Sequence, residues 1–148
     1  MKKELKDELL SLIEGSYPYF SKLCELIAFI KKYIPKANWV GIYCYEKGNW
    51  ILHLGPFQGE PACIAIPWGK GVCGECAKER KSIRVDDVTK LTNYISCSSS
   101  TKSELVVPMY NSEFLIGVID LDSDELAAFT EEDQIFIEEC IKIFSKEI

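Results

Sequence analysis

The chain has 148 residues, 47% of them hydrophobic, and a formal net charge of −6. That length suits about one ordinary domain, spanning 1–148, which can bury a full core without metal or disulfide staples. The acidic balance argues against nucleic acid or an anionic membrane as partner, because both select basic patches; basic residues here run no longer than two, as at Lys31-Lys32. No stretch approaches the ~20 apolar residues of a membrane span. Acids interrupt every apolar run of the opening MKKELKDELLSLIEG, so it does not read as a secretory signal. A cytoplasmic location is the expectation. Seven cysteines, an odd number, fit a reduced compartment better than a disulfide framework.

In chain order, Leu5, Leu9, Leu12 and Ile13 share one helical face, which predicts a short amphipathic helix over 3–14, broken by Gly15-Ser16. A second helix begins with Pro18 in its first turn, carries Leu23, Ile27, Ile30 and Ile34, and stops at Pro35. The period then changes. NWVGIYCYE and NWILHLGPF, rich in aromatic and β-branched residues, flank Lys47-Gly48 and predict a strand pair around a tight turn. ACIAI at 62–66 predicts another strand, and GKGVCGECAKERKS a glycine-led loop opening into a helix near residue 72.

Residues 82–85 predict a brief strand. From Asp86 to Ser103 the chain is polar and aperiodic, a long surface loop of the kind that is uncommon without a function. ELVVPMY and FLIGVIDLD predict two strands around Asn111-Ser112. Thr130 caps a last helix from 131 to about 146, with Asp133 in the capping-box position. Five or six mostly sequential strands between terminal helices give an α+β domain, with one central antiparallel sheet and the N- and C-terminal helices packed on one face.

Candidate chemistry starts at IGVIDLDS, 116–123. In a strand Asp120 and Asp122 point the same way, roughly 7 Å apart, with Ile119 and Leu121 opposite. Two adjacent carboxylates need a cation or a shared proton. The strand therefore either frays into a solvated loop or builds an acidic pocket for an ammonium group. Glu104, at the start of an apolar run, is either a surface residue or a third member of that pocket.

Cys24 and Cys140 fall on helical apolar faces and read as core, and Cys44 reads as structural. Cys73 and Cys76 form CGEC. A zinc site there needs two further ligands, and the sole histidine, His53, has no partner motif. Cys73 falls where a helix begins, and free N–H groups there favour a thiolate. Cys63 looks like an apolar strand position. Cys97, in the polar YISCSSSTKSE, has little packing role.

Together these segments resemble the free methionine-(R)-sulfoxide reductases, a family built on the GAF fold. The resemblance runs from about Asn38 to Asp133 and is carried, in order, by NWVGIY, GPFQGEPACIAIPWGKGVCG, VDDV, YISC, SELVVP and IGVIDLDS. It implies reduction of free L-methionine-(R)-sulfoxide by sulfenic acid and disulfide chemistry. Cys97 would be the attacking cysteine, Cys63 the resolving one and Cys73 a further redox partner. Glu104, Asp120 and Asp122 would be the acidic substrate residues, with Trp39 and Tyr43 around the substrate methyl group. No metal or other cofactor is implied, and thioredoxin or a similar dithiol would restore the thiols. Cys76 departs from the family, which has a small non-thiol residue at that place. The competing readings are a GAF ligand-binding domain and a redox sensor without turnover. A homodimer through the N-terminal helices is compatible with the pattern.

Overall fold

A computed structural model describes residues 1–148. Two helices come first, α1 (Lys3–Ile13) and α2 (Tyr19–Tyr33). Gly15 separates them with φ of 96°, a left-handed conformation that glycine adopts without a Cβ penalty. Pro18 stands at the N-cap of α2, one position before the first turn, where its missing N–H is no loss. Strands β1 (Trp39–Tyr45), β2 (Ile51–Gln58) and β3 (Ala65–Pro67) follow as an antiparallel meander. Helix α3 (Gly71–Glu79) leads to β4 (Ile83–Val85), and β5 (Ser103–Asn111) and β6 (Phe114–Ser123) form a hairpin.

Helix α4 (Glu131–Phe144) closes the chain. Its capping box is complete: Asp133 N–H donates to Thr130 Oγ1 at 3.2 Å, and Thr130 N–H donates to Asp133 Oδ2 at 2.7 Å. No helix is long and apolar enough to cross a membrane.

The six strands form one antiparallel sheet in the order β3-β2-β1-β6-β5-β4. Sequential pairing fails at one place, because the last strand, β6, lies between β1 and β5 and joins the two meanders. β6 can take that central position because both faces of it are covered. Pro108 is tolerated in β5 because β4 reaches only Val106, so the missing N–H lies beyond the end of that pairing.

Alternation divides the sheet into two faces. Val40, Ile42, Leu105, Val107, Ile119 and Leu121 pack with α1, α2 and α4 into the larger core. The terminal helices therefore share one face, as the sequence pattern predicts. Trp39, Tyr43, Leu52, Val106 and Val118 turn the other way and pack with Val72, Cys73, Cys76 and Ala77 of α3. The acids lie on that second face.

The 86–103 segment forms no strand before Ser103. It makes one 3-10 turn at Val88–Lys90, which Asp87 caps by accepting from Thr89 N–H at 3.0 Å. Beyond it the chain folds back over the second face.

Candidate active site

Strand register assembles the acids. Trp39 on β1 is opposite Asp122 on β6, and Asp122 is opposite Glu104 on β5, so the three residues form a row across the sheet. One step along, Gly41, Asp120 and Val106 form the next row. Asp120 is 5% exposed, as is Glu104, and Asp122 is half-buried. Glu104 is therefore not a surface residue at a strand start, and β6 does not fray at its acidic end.

These residues form the floor of a cavity of about 260 Å³. Trp39 and Tyr43 wall one side of it, and Gly71, Val72 and Cys73 of α3 another. Tyr94, Cys97 and Thr101 close it from the polar loop. The Trp39 indole lies flat over Gly41, where any Cβ would collide with the ring. Its Nε1–H donates to the Glu60 carbonyl at 3.0 Å, and it stacks on Tyr43 and Phe57 with centroids 6.0 and 5.4 Å away. Glycine at position 41 thus makes room for the aromatic wall.

Crowding of the carboxyls decides their protonation. Burial first, then the Asp120 and Asp122 charges, pushes Glu104 well above the usual carboxylate range. Asp122 is raised well above its ordinary value by burial and by Asp120 and Asp124. Burial also raises Asp120, while a hydrogen bond from Glu104 favours its ionised form. The crowding favours retention of a proton within the trio, most strongly at Glu104 and Asp122 and less at Asp120. Asp120 Oδ1 is buried with no hydrogen-bond partner. Such an orphaned acceptor is rare in a folded protein and points to something that the pocket receives.

The cysteines separate clearly. Cys63 and Cys97 form a disulfide across 34 residues of sequence, with Cα atoms 5.4 Å apart. Cys97 lines the cavity, and the Tyr43 hydroxyl donates to the Cys63 carbonyl at 2.9 Å, fixing that loop against β1. Cys63 lies in the irregular chain before β3, half-buried, and not in a strand core.

Cys73 is a free, buried thiol whose Sγ is 3.9 Å from Glu104 Oε1. Its place at the start of α3 does not give a thiolate. Burial, followed by the charges of Asp120, Glu104 and Asp122, pushes its thiol well up, and these outweigh the helix terminus. Cys76 is fully buried and raised by burial too. Cys140 is core, as its helical position predicts, but Cys24 is exposed, beside Leu54 and Phe57 of β2. His53 is exposed on β2, paired with Cys44 and remote from the cavity lining. It forms no metal site with Cys73 and Cys76.

Two features carry no sequence signal as single residues. Tyr94 and Thr101 reach the cavity only because the loop folds back. Gly71, Val72 and Cys73, the first turn of α3, also line it, while Gly74 N–H donates to the Lys70 carbonyl at 3.0 Å. The glycine-led GKG before a helix is the one hint of such a helix N-terminus.

Residues 25–141 match the GAF domain family, GAF_2. Free methionine-R-sulfoxide reductase of Saccharomyces cerevisiae is 35% identical over 98% of this chain and 86% of its own length. The Escherichia coli protein of that name is 34% identical over 88% of this chain and 78% of its own. The chain belongs to the free methionine-R-sulfoxide reductase family. The X-ray structure of free methionine-R-sulfoxide reductase from Neisseria meningitidis, in complex with its substrate, superposes with a TM-score of 0.91. It is 35% identical, with coverage of 98% of this chain and 86% of that one.

Proposed function

We propose that this chain is a thiol-dependent reductase of free L-methionine-(R)-sulfoxide. The observation that carries the reading is the Cys63–Cys97 disulfide at the rim of a cavity floored by Glu104, Asp120 and Asp122. A sulfoxide is a poor electrophile until its oxygen is protonated or hydrogen-bonded. Glu104 supplies that proton, its carboxyl being pushed well above the usual carboxylate range by burial and by the Asp120 and Asp122 charges. The Cys97 thiolate attacks the sulfur. The S–O oxygen passes to Cys97 as a sulfenic acid, and methionine is released. The Cys63 thiol then attacks the sulfenic sulfur, the oxygen leaves as water, and the disulfide forms. A dithiol of the thioredoxin kind returns two electrons and two protons to restore both thiols.

Recognition of the free amino acid follows from charge. Asp120 and neighbouring Asp122 suit an α-ammonium, and the N-terminal turn of α3 at Gly71, Val72 and Cys73 suits an α-carboxylate. A residue within a peptide lacks both charges. Trp39 and Tyr43 form the apolar wall for the methyl group, and the indole face also attracts a cationic centre. Cys73 lies at the floor as a neutral thiol hydrogen-bonded to Glu104, a reserve partner for Cys97.

For self-association, the N-terminal helices spend Leu9 and Ile13 on the core and leave Leu12, Tyr17 and Phe20 exposed. A homodimer would use that surface, and light scattering tests it.

The activity test is a coupled assay with thioredoxin, thioredoxin reductase and NADPH. NADPH oxidation is expected with free methionine-R-sulfoxide, and far less with the S-epimer or a peptide-bound form. Steady turnover separates an enzyme from a ligand-binding or redox-sensing domain, which would stop after one equivalent. Cys97→Ser should abolish turnover and keep the fold. A Cys97→Ser variant working at the wild-type rate would disprove the assigned nucleophile.

A further inference from the structure

Cys73 remains outside the disulfide, yet it is buried between two carboxylates. One ligand atom each from Cys73, Glu104 and Asp120 lie within 4.8 Å of one another. The Asp120 Oδ1 atom is buried and unpartnered, so one acceptor of the group is open to a cation. Three donors from β5, β6 and α3 converge at the cavity floor with a fourth side open to the cavity itself.

We propose that Cys73 Sγ, a Glu104 oxygen and Asp120 Oδ1 bind zinc, and that the metal excludes the sulfoxide substrate.

Ligand chemistry selects the ion. A thiolate disfavours magnesium and calcium, which take oxygen donors, and suits zinc, which accepts sulfur and carboxylate together. Tetrahedral zinc places its ligand atoms about 3.5 Å apart, from bonds of about 2.0 to 2.3 Å. The Cys73 to Glu104 separation is already 3.9 Å, so small side-chain rotations complete the set. Three protein ligands leave one position for water, the pattern of an open zinc site. Loading exchanges a proton for the metal: the Cys73 thiol proton passes to solvent. No electrons move. Because Cys73 is outside the Cys63–Cys97 bond, the oxidised protein keeps the whole ligand set.

Exclusion follows from shared atoms. The carboxylates that would hold zinc are those assigned above to the ammonium and the sulfoxide oxygen, so this half of the inference rests on that reading. The metal site itself does not.

The test titrates zinc into the oxidised protein against a chromophoric zinc chelator. One zinc per chain is expected, with release of protons into weak buffer. Cys73→Ser and Glu104→Gln should each weaken binding by about 100-fold or more, beyond the loss seen when a supporting outer residue is removed. Cobalt in place of zinc should give the near-ultraviolet charge-transfer band of a single thiolate. Zinc binding unchanged in Cys73→Ser, or a cobalt complex without that band, would overturn the site.

A second arm uses the reduced Cys63→Ser/Cys97→Ser protein, which cannot turn over. Methionine-R-sulfoxide should displace its zinc. Zinc retained at saturating sulfoxide would overturn the exclusion and the substrate reading of the acids, leaving the metal site standing.

Discussion

The disulfide makes resistance to unfolding depend on the stage of the catalytic cycle. Cys63 and Cys97 are 34 residues apart, and their bond encloses β3, α3 and β4. Closing a loop of that length removes unfolded-state entropy equivalent to about 4 kcal/mol at 25 °C. For a chain of this length, about 1 kcal/mol corresponds to roughly 3 °C in Tm. Reduction should therefore lower Tm by about 10 °C, less where the reduced unfolded chain retains structure. Scanning calorimetry of the oxidised protein, with and without a phosphine reductant, reads the shift directly. Cys63→Ser should melt at the reduced value in both conditions. Oxidised and reduced proteins melting within a degree or two of each other would refute the reasoning. A Cys63→Ser protein that still shifts with reductant would do the same, because some other bond would then be responsible.

Asp120→Asn should raise Tm at neutral pH while lowering kcat/KM about 10- to 100-fold, the worth of a charge-assisted hydrogen bond. The sign follows from the raised Asp120 pKa. The destabilisation is absent below the ordinary value of 3.8, grows as pH rises from there, and is complete above the raised folded value. Melting curves at pH 3 and pH 7 should show the advantage of the variant only at pH 7. Cys63→Ser/Cys73→Ser, which lacks both partners of Cys97, should release about one equivalent of methionine and stop, with the Cys97 sulfenic acid trapped by dimedone and seen by mass spectrometry. Gly41→Ala puts a Cβ 2.7 Å from Phe57 Cβ and against the Trp39 ring. It should destabilise by about 1 to 3 kcal/mol and raise KM by displacing the indole, read by denaturant unfolding and the coupled assay. Thr130→Ala removes one side of the α4 capping box and should cost about 1 kcal/mol of stability with kcat unchanged.

Periodicity made most elements legible because each has one apolar face to bury. Ile119 and Leu121 could go to the helix side only if Asp120 and Asp122 went to the other, so the acidic pair followed from alternation alone. Glu104 could not be placed that way. Its burial depends on β6 lying between β1 and β5, a long-range pairing that no local pattern encodes. Cys73 was misleading for the same reason. A helix start favours a thiolate locally, but three carboxyls arriving from β5 and β6 reverse the sign. Cys24 follows a helical apolar spacing but lies at the edge of that face, in a groove beside β2 that nothing covers. Cys63 and Cys97 were joined in sequence only by family order, because each lies in irregular chain whose path is set by the sheet beneath it.

The insertion of β6 between β1 and β5 also bears on the growing chain. Synthesis runs from the N-terminus, and all the cysteines but Cys140 are made before residues 114–123. Until β6 arrives, the two meanders have no shared edge. Trp39 then has no Asp122 opposite it, and Glu104 has no acidic neighbour. An unfinished polypeptide on the ribosome therefore carries the reactive sulfurs without the acids that would direct them to a substrate.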